Sequence, residues 1–245
     1  MKIKFLFLIL ISSLFSCDTK TQKSMSELPN APLAKQIPKN LTIHDDVRVD
    51  EFYWLNDREN PEVIDYLNKE NDYYDAHTAH TKKFQTSLFE EMKSRIKEDD
   101  SSVPYKYNGY WYITKFEKGK DYPIYTRKKE TLEAAEELLF DCNEMAKDHS
   151  YFRLVGLNIN LNNDLVSYGI DTTGRRQYTL HIKDLKTNKI FKDEISNTTG
   201  GSTWANDNKT LFYTQKDETT LRSEAIYKHQ LNTDQKSDVL IYEET

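Results

Sequence analysis

Glycine, long apolar runs and excess positive charge are all scarce in this sequence. It has 7 glycines among 245 residues, less than half the average frequency of about 7%, which argues against several glycine-rich phosphate-binding loops. The longest predominantly apolar run, residues 5–15, is too short to cross a bilayer core, which needs about 20 residues. The formal net charge is −6, so we predict no nucleic-acid partner. A polytopic membrane protein is excluded.

Aromatic residues, in contrast, are abundant. The chain has 16 Tyr, 11 Phe and 3 Trp, and 37% of its residues are hydrophobic. Aromatic side chains suit pleated, half-buried strands better than helical bundles. The composition therefore indicates a mainly β protein with enough apolar material for a core, in one large domain or about two.

The first residues have the layout of a secretory signal. Lys2 and Lys4 precede the apolar run, as is typical of exported proteins. The run ends in Leu14-Phe15-Ser16-Cys17, which resembles a bacterial lipobox. We therefore predict a lipoprotein signal peptide at 1–17, lipidation of Cys17, a tether at 18–39, and a membrane-anchored lipoprotein of the bacterial cell envelope, periplasmic or in the outer membrane. The alternative is an ordinary signal peptide with an incidental cysteine.

A helical segment follows the predicted tether. Asn60-Pro61-Glu62 is a typical helix start, and apolar residues at three- and four-residue spacing predict one long or two shorter helices over 61–97. The polar stretch 98–104 then predicts a domain boundary. We interpret its residues Glu98, Asp99, Asp100 and Pro104 as a charged hinge, with a cation site or a site for basic peptides as the alternatives.

From residue 105 onward the pattern changes to short strands separated by turns. Aligning Ile124, Thr179 and Ile226 gives offsets of about 55 and 47 residues, close to the spacing of β-propeller blades. We count two complete units and part of a third, and see no closing strand at the end of the chain, so the sequence looks like a fragment. The segment 131–139 has helical propensity and predicts a short helical turn that leads into a strand.

Several motifs in the same order resemble the prolyl oligopeptidase family of serine peptidases, and most closely its oligopeptidase B branch. The resemblance spans about residues 30–245 and rests on these segments: Asp50-Glu51-Phe52-Tyr53-Trp54-Leu55, residues 95–104, Gly109-Tyr110-Trp111-Tyr112, residues 120–125, Asp171-Thr172-Thr173-Gly174-Arg175-Arg176 and residues 218–223. Glu51 departs from the family, which usually has proline there.

The resemblance implies a two-domain peptidase. Its propeller, seven-bladed in the family, would cover the active site of a C-terminal α/β-hydrolase domain. Residues 40–100 would be the N-terminal helical segment that packs on that domain, and residues 101–245 would be the opening blades of the propeller. The resemblance also implies short peptide substrates, cleaved after Lys or Arg, and no cofactor.

The catalytic serine, aspartate and histidine of the family belong to the C-terminal domain, so we expect them C-terminal to Thr245. The chain has no Gly-x-Ser-x-Gly nucleophile elbow; the nearest string is Gly200-Gly201-Ser202-Thr203-Trp204. We therefore predict no catalytic residue in this chain and no peptidase activity for it alone.

Other local candidates have simpler interpretations. Gly169 and Gly174 are spaced like the glycines of a phosphate-binding loop, but Arg175 and Arg176 stand where Lys and Ser or Thr are required. We interpret this segment as a blade hairpin in which Asp171 and the arginines form ion pairs between blades or domains.

Two further sets of residues are candidates for metal binding and for aromatic stacking, respectively. His77 and His80, near Asp72 and Asp75, lack a converging fourth ligand, so we predict no metal site. The three tryptophans Trp54, Trp111 and Trp204 could stack with a ligand, but packing is the default interpretation. If Cys17 is lipidated, Cys142 has no disulfide partner, and we predict that it is a small buried hydrophobe.

The leading hypothesis is the N-terminal part of a membrane-tethered serine oligopeptidase whose propeller restricts access to short substrates. The runner-up is a lipid-anchored propeller scaffold without chemistry, which binds proteins or peptides. A periplasmic solute-binding lipoprotein is disfavoured, because repeated hairpins replace the βαβ alternation of such folds.

Overall fold

A computed structural model describes residues 28–244. These residues form two compact units that divide between Arg95 and Ile96, and each unit is described by itself. The predicted signal peptide 1–17 with Cys17, and residues 18–27 of the predicted tether, lie outside the described residues. Within residues 28–244, no helix is both long and apolar enough for a membrane crossing.

The first unit contains a hairpin and two helices. Strands β1 (Lys39–Ile43) and β2 (Asp46–Asp50) are antiparallel, and His44 and Asp45 connect them with positive φ, as a tight hairpin turn requires. A 3-10 turn at Tyr53–Asn56 follows. Sequence analysis did not predict this hairpin.

Helices α1 (Pro61–Thr78) and α2 (Lys82–Ser94) are separated by a single 3-10 turn at Ala79–Thr81. The side chain of Asn60 caps α1 by accepting from the Glu62 N–H at 2.9 Å, which confirms the predicted helix start. Of the two predicted alternatives, one long helix or two shorter ones, the structure has the two shorter helices.

The chain before β1 is attached to the first unit. Ile37 N–H donates to Glu51 O at 2.8 Å, and the Trp54 indole N–H donates to Lys35 O at 2.8 Å. Residues 35–37, at the end of the predicted tether, therefore lie against the segment that follows β2.

The second unit begins with a sheet of five strands. Its strands are β3 (Asp100–Ser101), β4 (Tyr105–Tyr107), β5 (Tyr110–Phe116), β6 (Ile124–Lys129) and β7 (Glu136–Asp141). Both β3 and β4 pair with β5, and β6 lies between β5 and β7. The sheet is therefore one blade whose first strand is interrupted at residues 102–104. The predicted helical turn at 131–139 is a non-helical turn, and it leads into β7 as expected. A short helix, α3 (Cys142–Met145), follows β7.

Seven further strands form one continuous antiparallel sheet in chain order. They are β8 (Arg153–Ile159), β9 (Leu165–Asp171), β10 (Tyr178–Asp184), β11 (Ile190–Trp204), β12 (Thr210–Lys216), β13 (Ser223–Gln230) and β14 (Val239–Glu243). Strand β11 has 15 residues. Its first part pairs with β10 as far as Thr198, and its second part pairs with β12 from Thr198 onward. It thus serves as the last strand of one blade and the first strand of the next.

Close backbone packing accompanies this change of partner within β11. Gly200 has φ of +87°, and a Cβ placed on Gly156 of β8 would lie 2.0 Å from Gly200 O. No side chain can occupy that position without a shift of the backbone. Glycine is therefore required where β11 crosses β8.

The predicted repeat is confirmed by the strand positions. Ile124, Thr179 and Ile226 lie in β6, β10 and β13, the third strand of each blade. The prediction that the third unit is only partial was wrong, because β14 supplies its fourth strand. The apolar residues of β14 form a continuous run, Val239–Tyr242, with no alternation to indicate a strand.

The largest buried cluster joins the first and second blades. It contains Tyr112, Leu139, Phe140, Cys142, Ala146, Phe152, Leu154, Val166 and Tyr168. Cys142 is therefore a buried core residue, as predicted.

Candidate functional site

The segment predicted as a hinge, residues 98–104, is attached to the first blade at residues 100–102. Asp100 and Ser101 pair with Phe116 and Lys115 of β5. Ser102 N–H donates to Thr114 O at 2.8 Å. The Ser102 hydroxyl in turn accepts from Thr114 N–H at 3.0 Å. Asp100, Ser101 and Ser102 are thus bonded to the sheet, whereas residues 103–104 lie outside its strands.

The four residues of the predicted hinge have different environments. Asp99 and Asp100 are exposed, whereas Glu98 and Pro104 are half-buried. The Lys97 ammonium lies 2.8 Å from the Asp100 carboxylate, and this hydrogen bond lowers the pKa of Asp100 below its ordinary value. Motion at Glu98, Asp99, Asp100 and Pro104 stays a prediction.

A pocket of about 480 Å³ lies between the first two blades. Its described lining residues are Tyr105, Tyr107, Tyr112, Ile113, Thr114, Tyr125, Thr126, Leu139, Val155, Gly156, Leu157, Asn158, Ile159 and Val166, of which none is charged. Tyr105 and Tyr107, on the first strand of the first blade, are 62% and 53% exposed. Tyrosine rings therefore form the accessible part of an otherwise largely aliphatic pocket.

Tyr112 carries a buried hydroxyl without a partner. The residue is 7% exposed, its ring stacks on that of Tyr105 with centroids 5.2 Å apart, and its hydroxyl has no hydrogen-bond partner among residues 28–244. Burial raises the pKa of Tyr112, an effect that the nearby Arg127 opposes in part. This hydroxyl is therefore a buried neutral group near the Arg127 guanidinium.

A buried cation, Arg127, and a half-buried one, Lys183, join the two blades that form this pocket. The Arg127 guanidinium pairs with Glu137 at 2.7 Å and donates to Asn163 O at 3.1 Å. From the second blade, the Lys183 ammonium donates to Leu139 O at 2.9 Å. Burial lowers the pKa of Lys183. Both cations serve the contact between blades.

The predicted ion pair of Asp171 was wrong. Its segment is a hairpin, as predicted, but the Asp171 carboxylate accepts from the backbone N–H groups of Thr173, Gly174 and Arg176 at 2.8–3.0 Å. Burial disfavours the ionised form, yet these hydrogen bonds outweigh it and lower the pKa of Asp171. A carboxylate in a tight turn finds backbone donors nearer than a long arginine side chain.

The other sequence candidates have local structural partners. His77 Nε2 lies 2.9 Å from Pro29 O, and His80 Nδ1 lies 3.1 Å from His77 O. Asp75 pairs with Lys82 at 3.1 Å, and Asp72 is exposed. Within residues 28–244, no three potential metal ligands form a group.

The tryptophans and glycine motifs are likewise structural. Indole N–H groups of Trp54, Trp111 and Trp204 donate to backbone carbonyls at 2.8–3.1 Å. Gly169 packs against Gly200, and Gly174 lies beside the Tyr151 ring. Ser202, in the string nearest to a nucleophile elbow, lies in β11 and donates to Ser167 Oγ at 2.8 Å.

Sequence reasoning missed a buried histidine between two carboxylates. His229 is fully buried, with Nδ1 2.7 Å from Asp238 and Nε2 2.9 Å from Asp193. Tyr213 donates to the other oxygen of Asp238 at 2.8 Å. Burial and the adjacent Asp238 raise the pKa of Tyr213. The four residues lie in different elements of the chain, so no local motif indicated them.

Comparisons with known proteins give one family-model match and several similar proteins. Residues 32–245 match the family model "Prolyl oligopeptidase, N-terminal beta-propeller domain". The chain is 39% identical over 218 residues to dipeptidyl aminopeptidase BI of Pseudoxanthomonas mexicana, covering 82% of this chain and 30% of that protein. It is 34% identical over 220 residues to Protease 2 of Moraxella lacunata, covering 87% of this chain and 32% of that protein.

A solved structure agrees with these matches. Oligopeptidase B from Leishmania major superposes with a TM-score of 0.79 at 32% identity, over 88% of this chain and 33% of that one. The chain spans about a third of the length of the relatives it matches.

Proposed function

Because this chain belongs to the prolyl oligopeptidase family of serine peptidases, we propose that it forms the N-terminal part of an oligopeptidase B-like enzyme. The enzyme cleaves short peptides after Lys or Arg. The chain supplies the opening blades of the propeller and no catalytic residue. The serine, histidine and aspartate belong to an α/β-hydrolase domain C-terminal to Thr245.

The observation that carries this proposal is the uncovered apolar surface of the first unit. Val63 is the only buried apolar residue within residues 28–95, whereas Phe84, Leu88 and Met92 form an exposed stripe along α2. Positions i, i+4 and i+8 of a helix share one face, and Phe84 is 68% exposed. An apolar face of this size in a unit with almost no core needs a covering partner. The hydrolase domain is that partner.

The propeller acts by controlling access. Its blades cover the hydrolase active site, so that folded proteins are excluded and short peptides are admitted when the two domains separate at the 98–104 hinge. Chemistry then follows the serine-peptidase scheme, in which histidine activates serine, aspartate orients histidine and backbone amides stabilise the oxyanion.

A serine-directed fluorophosphonate tests the proposal. We expect no labelling of the 245-residue chain, and stoichiometric labelling of the longer protein that also contains the hydrolase domain. The longer protein should cleave peptides of about ten residues after Lys or Arg and leave folded proteins intact. Labelling of the chain itself would refute the proposal. An unlabelled longer protein would favour a propeller scaffold without chemistry.

We also propose that Cys17 is lipidated and anchors the protein to a membrane of the bacterial cell envelope. The support is the lipobox-like string Leu14-Phe15-Ser16-Cys17. Metabolic labelling with a palmitate analogue should mark the wild-type chain and the Cys142→Ser control. It should not mark Cys17→Ser, and equal labelling of Cys17→Ser would contradict the anchor.

A further inference from the structure

The pocket between the first two blades has the size and preformed walls of a ligand site. Its volume of about 480 Å³ falls within the range of about 300–1,000 Å³ typical of small-molecule sites. One wall comes from β4–β7 of the first blade, and the other comes from β8 and β9 of the second blade. All of its described lining therefore belongs to residues 105–166.

The walls cannot close on the pocket without breaking contacts between the blades. Arg127 joins the first blade to Asn163 O at 3.1 Å, and Lys183 joins the second blade to Leu139 O at 2.9 Å. At the turn after β4, Asn108 donates to Leu161 O at 2.8 Å. These bonds hold the two sheets at a fixed separation. The pocket is therefore a preformed cavity, and a ligand meets little reorganisation cost.

The uncharged lining disfavours ligands with charged side chains. None of its described residues is charged, and Leu139, Val155 and Val166 make its inner surface aliphatic. A Lys or Arg side chain would lose hydration here without gaining an ion pair. An aromatic or aliphatic side chain would gain contact with the exposed rings of Tyr105 and Tyr107 and bury apolar surface.

Polar side chains in the lining add a second requirement. Thr114, Thr126 and Asn158 line the pocket beside its aliphatic residues, and hydroxyl and amide groups both donate and accept hydrogen bonds. A peptide carries an N–H donor and a carbonyl acceptor at almost every residue, whereas a simple hydrocarbon carries neither. The chemistry of the lining thus fits a peptide with an uncharged side chain.

We propose that this pocket is a subsite of the propeller that holds an aromatic or large aliphatic side chain of a peptide. The inference rests on the proposed function for its source of peptides. The residue it holds differs from the basic residue at the cleaved bond. The subsite lies in the blades, so it binds its side chain whether or not a hydrolase domain acts on the same peptide.

Saturation-transfer NMR on the full chain tests the subsite, with N-acetyl-phenylalaninamide and N-acetyl-lysinamide as probes. We expect at least five-fold stronger transfer to the phenylalanine probe. Tyr105→Ala, which removes an exposed ring, and Leu157→Trp, which fills the pocket, should each reduce that signal at least three-fold. The matched control is Tyr242→Ala, because Tyr242 is similarly exposed, at 57%, and lies outside the pocket.

Equal transfer to both probes, or an unchanged signal in Tyr105→Ala, would overturn the subsite. Tyr105 is exposed, so this variant remains informative even if Leu157→Trp fails to fold. The phenylalanine probe contains no bond after Lys or Arg, the measurement uses the 245-residue chain, and the fluorophosphonate experiment is read separately. Phenylalanine binding by a longer protein that is not labelled would keep the subsite and refute the peptidase.

Discussion

Asn108 and Asn163 hold each other through two side-chain hydrogen bonds across adjacent blades. Asn108 Nδ2 donates to Asn163 Oδ1 at 3.1 Å, and Asn163 Nδ2 donates to Asn108 O at 3.1 Å. Both residues lie in the turn after the first strand of a blade, with positive φ. Asn208 occupies the same place in the third blade and accepts from Asn162 N–H at 3.3 Å. Asparagine tolerates this backbone conformation and also bonds to the next turn, so it sets the register between blades.

Replacing Asn108 with Asp should weaken the contact between the first two blades. The Nδ2 group of Asn108 donates to Leu161 O and Asn163 Oδ1, and a carboxylate would face these two acceptors without a proton to donate. We expect the free energy of unfolding to fall by about 1–2 kcal/mol, measured by urea denaturation with fluorescence and circular dichroism. Asn188→Asp is the control, because Asn188 also has positive φ, is exposed, and lies in a hairpin turn. Equal losses in both variants would show that the bonds across the blades contribute nothing.

Asp171→Asn should destabilise the second blade in a pH-dependent way. The amide would present a donor to the Arg176 N–H, which now donates to Asp171 Oδ2 at 2.8 Å. We expect a loss of about 1.5–3 kcal/mol at pH 7, the range for hydrogen bonds to a charged group. The folded-state pKa of Asp171 is lowered. The extra stability of the wild type over Asp171→Asn is therefore fully present above the unfolded pKa of about 3.9, and it is lost as pH falls through the folded pKa.

Denaturation at pH 6 and again near pH 2.5 measures this dependence for Asp171→Asn. The control is Asp207→Asn, in which an exposed aspartate caps a similar turn by accepting from Lys209 and Thr210 N–H groups. Water can replace those bonds, so the control should lose less. A loss in Asp171→Asn that does not change with pH would contradict the explanation.

The repeat and the start of the helices could be predicted because their signals are local. Asn60-Pro61-Glu62 contains its own capping group, and hairpin sequences around Ile124, Thr179 and Ile226 recur at the spacing of blades. Such patterns depend on residues within a few positions of each other. The strands of the propeller therefore follow from the sequence, except where a short apolar run such as Val239–Tyr242 lacks alternation.

The candidate subsite and the buried histidine could not be predicted, because their parts are distant in the chain. Tyr105 and Val155 line one pocket although 50 residues separate them in sequence. Which side of a strand faces the neighbouring blade depends on pairing and twist, and neither is visible in a single sequence. The spacing of the asparagines at 108, 163 and 208 follows the blade repeat, but these residues belong to neither site.

Cys142 should be unreactive in the folded chain. It is buried, and this burial raises the pKa of its thiol to about 12, so the thiolate that reacts with disulfide reagents is almost absent at pH 8. In a Cys17→Ser background, we expect no release of thionitrobenzoate from Ellman's reagent over an hour, and complete release of one equivalent in urea. Rapid reaction without denaturant would mean that the first two blades separate readily.

Phe84→Ser should change the surface of the first unit but not its stability. Phe84 is exposed and belongs to the apolar stripe on α2, so its loss removes no buried contact within the chain. We expect the free energy of unfolding to change by less than about 0.5 kcal/mol, while binding of a hydrophobic dye falls. Binding of a separately produced hydrolase domain should weaken at least ten-fold. Lys83→Ser, on the same helix, is the control and should leave the free energy of unfolding, dye binding and hydrolase-domain binding unchanged. A large loss of stability in Phe84→Ser would show that the stripe is already covered.

His229→Gln should be the most destabilising of these changes. Both ring nitrogens of His229 lie within hydrogen-bond distance of a buried carboxyl group, with Nδ1 2.7 Å from Asp238 and Nε2 2.9 Å from Asp193. A glutamine amide can donate to Asp193 or to Asp238 but would turn its carbonyl toward the other. Breaking a buried network of this kind by removing one partner typically costs about 3–5 kcal/mol. We expect a loss of that size by urea denaturation at pH 7, against less than about 0.5 kcal/mol for the exposed control His149→Gln.

A double-mutant cycle separates this network from a general packing effect. Asp193 lies in β11, the last strand of the second blade, and its Oδ2 atom has no partner among the described residues. If His229 acts through its hydrogen bond to this buried carboxyl group, Asp193→Asn should remove part of the stability loss caused by His229→Gln. The double variant should then lose less free energy of unfolding than the sum of the two single losses, by about 1 kcal/mol or more. Additive losses would instead mean that His229 contributes only its volume to the contact between the second and third blades.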